Sequence, residues 1–150
     1  MATMHKLLVG TWIGVLGLLL AMAPTHANEV EFDRYVVHYT VLSTHYLSPE
    51  VARAYNLRRS RSRALVNVVI MERDGDTLQP VSGQVSGETV NLYRQVRLLR
   101  FREIRDGNAF YHLAEVRVRP GEVMDFNLNV QAEGDDEVMP LRFRRAFHHY

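Results

Sequence analysis

The residues best equipped for chemistry in this chain are its histidines, a run of arginines and a scatter of serines. Their spacing decides which reactions stay open. His38, His45, His112, His148 and His149 could each ligate a metal or carry a proton. No pair among them has the His-x-x-x-His spacing of a helical zinc site, and no acidic residue completes such a motif. His148 and His149 could hold a divalent ion weakly, as an affinity tag does, but they read first as a frayed terminus. His38 lies amid an aromatic segment and reads as a structural histidine bonded to a neighbouring loop, ahead of a ligand or a base. No Gly-x-Ser-x-Gly elbow surrounds any serine, and Ser60, Ser62, Ser82 and Ser86 have no context that implies a nearby base.

The strongest local charge feature is Arg58, Arg59, Ser60, Arg61, Ser62 and Arg63. Guanidinium forks match carboxylate and phosphate, so its functional reading is an anion or lipid-headgroup contact. The plainer reading, ranked first, is a solvated connection whose arginines pair with acids such as Glu50 or Glu72. Asn67 and Asn91 sit among apolar residues and, if buried, must bond to backbone groups. The residues thus nominate no catalytic group, no metal site and no cofactor. They nominate His38, Tyr55, Arg58, Arg59, Arg61 and Arg63 as candidate partner contacts.

Composition narrows the classes further. The chain has no cysteine, which removes thiol catalysis, thiolate metal sites and disulfide staples. Its 150 residues carry 18 basic and 17 acidic side chains. The only lysine is Lys6, so beyond residue 27 the 17 remaining basic residues, all arginine, balance 17 acids. A nucleic-acid partner calls for a basic excess, and none exists.

The first 27 residues read as an export leader. Lys6 precedes an apolar run over residues 7–23, broken only by Thr11 and by Gly10, Gly14 and Gly17. Pro24 and the small residues Thr25 and Ala27 then form a cleavage site ahead of Asn28. An uncleaved anchor is the rival, since the run approaches the length of a spanning helix. A single β-sandwich domain is expected over residues 28–150, large enough to bury one core. The cleaved product is not an integral membrane protein.

The elements that must position the candidates follow from periodicity. Residues 32–43 alternate as a strand, with Tyr35, Val37, Tyr39 and Val41 on one face. Ser48, Pro49 and Glu50 have the chemistry of a helix start, namely a cap, a first-turn proline and an acid at the positive end. Residues 64–71 are apolar apart from Asn67, as in a strand buried on both faces. Asp74, Gly75 and Asp76 suit a hairpin turn. Residues 79–88 return as a strand bent at Gly83 and Gly87, residues 90–104 form one strand or two, and residues 110–118 another. Met124, Phe126, Leu128 and Val130, then Met139, Leu141 and Phe143, alternate with polar residues as in an antiparallel sheet with one wet face. Pro140 assigns the last strand to an edge. The sum is an all-β fold, an antiparallel immunoglobulin-like β-sandwich of seven or eight strands with one short helix, its alternative a small β-barrel.

These residues also carry a resemblance. His38 and Tyr39, then Leu47, Ser48, Pro49, Glu50, Val51, Ala52 and Tyr55, then Arg59, Ser60, Leu65, Val66, Asn67 and Val68, resemble a group of short proteobacterial exported proteins catalogued as a domain of unknown function, family 4426. Val85, Ser86 and Gly87 with Asn91 and Leu92, and the later Phe101, Arg102, Glu103 and Ile104, fit the same pattern. The resemblance implies an envelope location in a Gram-negative bacterium, and it brings no activity and no catalytic residue with it.

The expected function is a non-enzymatic periplasmic binding or adaptor domain contacting a protein partner or an envelope component through residues 48–63. The alternative is a small-molecule or lipid carrier. An enzyme built on His38 with a distant carboxylate ranks third and metal handling fourth.

Overall fold

The computed structural model describes residues 28–148. The leader expected over residues 1–27, and His149, lie outside the described residues. In chain order the elements are β1 (Asn28–Glu31), β2 (Tyr35–Ser43), a 3-10 turn (Thr44–Tyr46), α1 (Pro49–Ala54), β3 (Arg63–Asp74), β4 (Thr77–Val81), β5 (Gly83–Asn91), β6 (Val96–Leu99), β7 (Arg102–Asp106), β8 (Ala109–Arg117), β9 (Val123–Ala132) and β10 (Met139–Ala146). The strands form two antiparallel sheets. One runs β1-β2-β3-β8-β7 with β4 paired to β3, and the other runs β10-β9-β5-β6. The sheets pack face to face as a sandwich and do not close into a barrel.

Alternation of side chains is what makes each sheet two-faced. Val37, Val66, Val68 and Ile70 from the first sheet meet Phe126, Leu128, Val130 and Leu141 from the second, all fully enclosed. Phe143 stacks between Tyr39 and Phe126, with ring centroids 4.3 and 4.7 Å away. Strand β3 is buried on both faces, as its apolar run predicts. Its outer residue Leu65 packs with Leu42 and Leu113 under Leu47, Val51, Tyr55 and Leu57. Those covering residues belong to the crossover from β2 to β3. Ser48 accepts the Val51 N–H at 3.3 Å, capping α1. At six residues that helix is too short to persist alone, and its burial on the sheet holds it.

Ten strands are present among the described residues, where periodicity predicts seven or eight, and the additions have physical causes. The stretch over residues 79–88 divides at Ser82, which carries the chain from β4 in one sheet to β5 in the other. Gly83 is needed at that crossing, because a Cβ there would collide with the Gln131 carbonyl and the Ile70 side chain. The stretch over residues 90–104 divides into the end of β5, β6 and β7, and again changes sheet. Strand β1 precedes the first predicted strand and pairs along it from Asn28 opposite Tyr39. Pro140 does lie on an edge strand, β10. One expectation fails. Asn67 is buried, yet its Oδ1, like the Oγ1 of its cross-strand neighbour Thr40, accepts no bond from the described residues.

Candidate functional site

Antiparallel strands send successive connections to opposite ends of a sandwich, so the ends can differ even where the sequence alternates. Arg63 of β3 stands opposite Arg117 of β8, and Arg97 of β6 donates to the Arg117 carbonyl at 3.2 Å. These contacts place the starts of β3 and β6 and the end of β8 at one end. The β5–β6 tip joins them there, because Asn91 stands opposite Met124. So does the last turn, because Phe147 N–H donates to Glu122. This end carries Arg58, Arg59, Arg61, Arg63, Arg94, Arg117 and Arg119, and its acids include Glu50, Glu115, Glu122 and Asp125, the last paired with Arg144. The opposite end gathers Glu31, Asp33, Asp74, Asp76, Glu133, Asp135, Asp136 and Glu137 around Arg34 and Arg73. A chain balanced in total charge is therefore strongly polarised along its long axis.

The arginine connection is held in place by a buried hydroxyl. Thr44, fully enclosed, donates to the Ser60 carbonyl at 3.1 Å and accepts the Ser60 N–H at 2.9 Å. Arg59 donates to the His45 carbonyl at 3.3 Å, and the Arg58 N–H donates to Glu115 at 3.2 Å. Val118 N–H closes on the Ser62 carbonyl at 3.0 Å. The backbone is thus pinned at both ends while Arg58, Arg59 and Arg61 stay exposed. None of the four guanidinium groups of this connection lies in an ion pair with a described carboxylate. The arginines that do pair are Arg34, Arg73, Arg97 and Arg144. Glu72, offered by the sequence as a partner, is taken by Arg34 at 2.7 Å. Glu50 feels Arg59 only at a distance. Its carboxyl is held low first by a backbone N–H and by Ser48, with Arg53 and Arg59 contributing least.

The other two candidates stand apart from this cluster. Tyr55 is buried in the outer core and donates to Asp106 at 3.0 Å, so it supports the crossover instead of facing a partner. His38 is half-buried opposite Val69, six positions along β3 from Arg63, a separation of about 20 Å at strand rise. Its Nδ1 lies 3.7 Å from Glu29 of β1.

Two polar constellations lie outside the candidate contacts: that of His112 escaped the sequence reading, whereas Asn91 bonds to backbone groups as expected of a buried asparagine. His112, almost fully enclosed, places Nδ1 3.1 Å from the Val68 carbonyl and Nε2 2.9 Å from Glu103 and 3.1 Å from the Gly83 carbonyl. All three neighbours are acceptors, so a ring nitrogen bonds to them only by carrying a proton. Glu103 also accepts from the Ser82 hydroxyl and the Gly83 N–H at 3.0 Å. Burial pushes its carboxyl up, but Gly83, Ser82 and His112 together outweigh this and hold it below the usual range. Nε2 and the Glu103 carboxylate fasten β7 and β8 to the start of β5, while Nδ1 ties β8 to β3. Beside it lies a cleft of about 500 Å3 lined by Gln84, Phe101, Gln131 and Val138, with no residue of 48–67 in its walls. The second constellation is Asn91, whose carboxamide accepts the Tyr93 and Gln95 N–H groups and donates to Gln95 and Glu122, all at 2.9–3.0 Å. It fixes a tip that bears Leu92 and Tyr93. The available signal was a stretch from residue 89 to 102 with four arginines and no acid, inside what read as plain strand.

Comparison with known proteins agrees with the architecture. The family model described as a domain of unknown function (DUF4426) matches residues 29–149. A crystal structure of a DUF4426 family protein from Pseudomonas aeruginosa PAO1 is 30% identical, with a TM-score of 0.71 over 81% of this chain and 94% of that one. FetP from uropathogenic Escherichia coli strain F11, expressed recombinantly in the periplasm, is 11% identical with a TM-score of 0.54 over 83% and 94%. A copper-bound FetP variant is 12% identical with a TM-score of 0.52 over 84% and 91%. These two share the fold. Among curated proteins none matches the chain. No helix among the described residues is long and apolar enough to cross a membrane.

Proposed function

We propose that this chain, which belongs to the DUF4426 family, is a non-enzymatic binding module of the bacterial envelope that takes an anionic partner on its basic end. The observation that carries this reading is the clamped connection from Arg58 to Arg63, whose four guanidinium groups close no ion pair with the described carboxylates. Fixing the backbone while leaving the charges uncompensated prepares a surface for carboxylate or phosphate. The expected partner is a protein or another envelope component. The envelope location rests on the leader-like residues 1–27, and N-terminal sequencing of the protein recovered from a periplasmic fraction should begin at Asn28.

The test is co-purification from envelope extracts with wild type, Arg59→Ala and Arg61→Ala. Capture should weaken in each variant and fall with added salt, as contacts between exposed charges do. An unchanged set of partners across the series would move the binding site elsewhere.

The 500 Å3 cleft beside Phe101 and Val138 favours a small-molecule carrier as the second reading. Native mass spectrometry of protein from its own host should then show a bound mass. Copper binding is a property of the FetP variant. Among the described residues no three His, Cys, Asp or Glu side chains converge as metal ligands, and the His38–Glu29 and His112–Glu103 pairs each lack a third.

A further inference from the structure

The β5–β6 tip joins the basic end to an exposed apolar surface. Leu92 is 65% exposed, Tyr93 86%, Val96 55% and Leu98 75%, four large apolar side chains within seven residues of a chain whose other apolar groups of that size are mostly enclosed. Isolated exposed apolar residues need no explanation, but a contiguous group marks a contact surface. The tip is also rigid. The buried Asn91 carboxamide bonds to both arms of the turn and to Glu122, and Arg94 is held at a φ of 61°, a left-handed conformation that costs a non-glycine residue energy. A floppy loop could fold these side chains back onto the sandwich, whereas this one is braced outward.

The charge around the tip says what it meets. Arg94 and Arg100 flank the apolar residues, both exposed and in no ion pair; of the acids nearby, Glu122 beneath them is engaged by Arg97 at 2.8 Å, and Glu88 stands opposite Leu98 on β5. Tyr46, another exposed aromatic at 57%, follows β2 at the same end. An apolar aromatic tip flanked by arginine matches the boundary of an anionic leaflet, where tyrosine bodies sit among headgroups and guanidinium groups meet phosphates. The acidic opposite end sharpens the match, because an anionic surface attracts one pole and repels the other and so turns the tip toward itself. Strand addition by a second copy fits less well, since the free side of β6 faces β8 and Arg97 already spans that gap.

We propose that Leu92 and Tyr93 insert into the headgroup region of an anionic lipid surface while the arginines of the same end hold its phosphates. The proposal rests on the basic end being the docking end and specifies what docks there.

The experiment is co-sedimentation of the exported form, residues 28–150, in which both sheets are complete, with vesicles of phosphatidylcholine alone or mixed with phosphatidylglycerol. Binding is expected to the mixed vesicles only. It should fall about tenfold or more in Leu92→Ala with Tyr93→Ala, from the apolar area lost. Both side chains are exposed, so the melting temperature serves as a check that the variants fold. The chain's one tryptophan is Trp12, absent from this form, so Tyr93→Trp carries a single reporter. Its emission should shift to the blue on mixed vesicles, while that of Leu78→Trp, far from this end, should not. No binding to mixed vesicles overturns the proposal. So does binding that depends on Arg59 and Arg61 but ignores the tip, or a protein partner that needs Tyr93 without any vesicle binding. In the first of these two outcomes the anionic-partner reading stands while insertion of the tip falls, and in the second the tip is a protein contact and the lipid inference falls.

Discussion

The two ends of the sandwich use charge in opposite ways. At the acidic end several carboxylates, Glu31, Glu72 and Asp135 among them, are enlisted in structure. Asp135 accepts the Tyr35 hydroxyl at 2.7 Å and meets Arg34 at 3.3 Å, and Glu103 nearby fastens Ser82, Gly83 and His112. The consequences reach the partners, because the bond to Asp135 and then burial push the Tyr35 hydroxyl up to about 12. At the basic end the arginines of residues 58–63 hold no carboxylate, and the structure there is carried by Thr44, Asn91 and backbone bonds. Charges that are already satisfied stabilise a fold, and charges that are exposed and unpaired contribute little to it. The contrast separates an end where carboxylates support the fold from an end where the arginines of residues 58–63 are left unpaired.

That contrast can be broken most directly at the clasp. Glu103→Ala removes three donors' partner and leaves the enclosed His112 facing backbone carbonyls only, so denaturant unfolding should register a loss of about 2–3 kcal/mol. A loss near zero would mean that this clasp is as dispensable to folding as the arginines of the basic end. Next in size is Asn91→Ala, which frees two backbone N–H groups and should cost about 1–2 kcal/mol while raising hydrogen exchange at Tyr93 and Gln95. Exchange that stays slow there would show the tip to be held by something other than Asn91.

A smaller effect is expected for Tyr35→Phe, about 1 kcal/mol for one hydrogen bond, measured by the same unfolding curve. Its pH dependence sharpens the comparison. Glu103 is held below the usual carboxylate range, and Asp135 also, first by the Glu137 N–H and then by Tyr35. A carboxyl depressed in the folded state gives its full stabilisation above its unfolded value and loses it as pH falls through the folded one. Stability should therefore decline on acidification below the ordinary carboxylate range, and Glu103→Ala should flatten that decline. Smallest of all, Arg59→Ala with Arg61→Ala should change stability by no more than about 0.5 kcal/mol, whatever it does to partner capture. A larger loss would place those arginines in the fold's support.

Much of this was legible beforehand, and the reasons are local. Strands β9 and β10 announce themselves because each buries one face, and period-two alternation is the direct record of that. The Ser48 cap and the both-faces burial of β3 are likewise written in adjacent residues. The divisions of residues 79–88 and 90–104 were not, because a strand that changes sheet keeps its apolar content and shows the change only in where its neighbours lie. His112 looked like one histidine among five, since its partners Val68, Gly83 and Glu103 come from three separate strands. Tyr55 read as a surface candidate, but its ring is what the crossover needs to cover Leu65 and Leu113.

The amino-acid order alone settled the extended, antiparallel character of the chain, the capped helix between its first strands, the absence of thiol chemistry and the equality of arginines and acids. It could not show that these equal charges part company. Connections far apart in the chain reach the same end only when an antiparallel sandwich stacks them there, so polarity is a property of the three-dimensional arrangement, invisible to any count or window along the sequence.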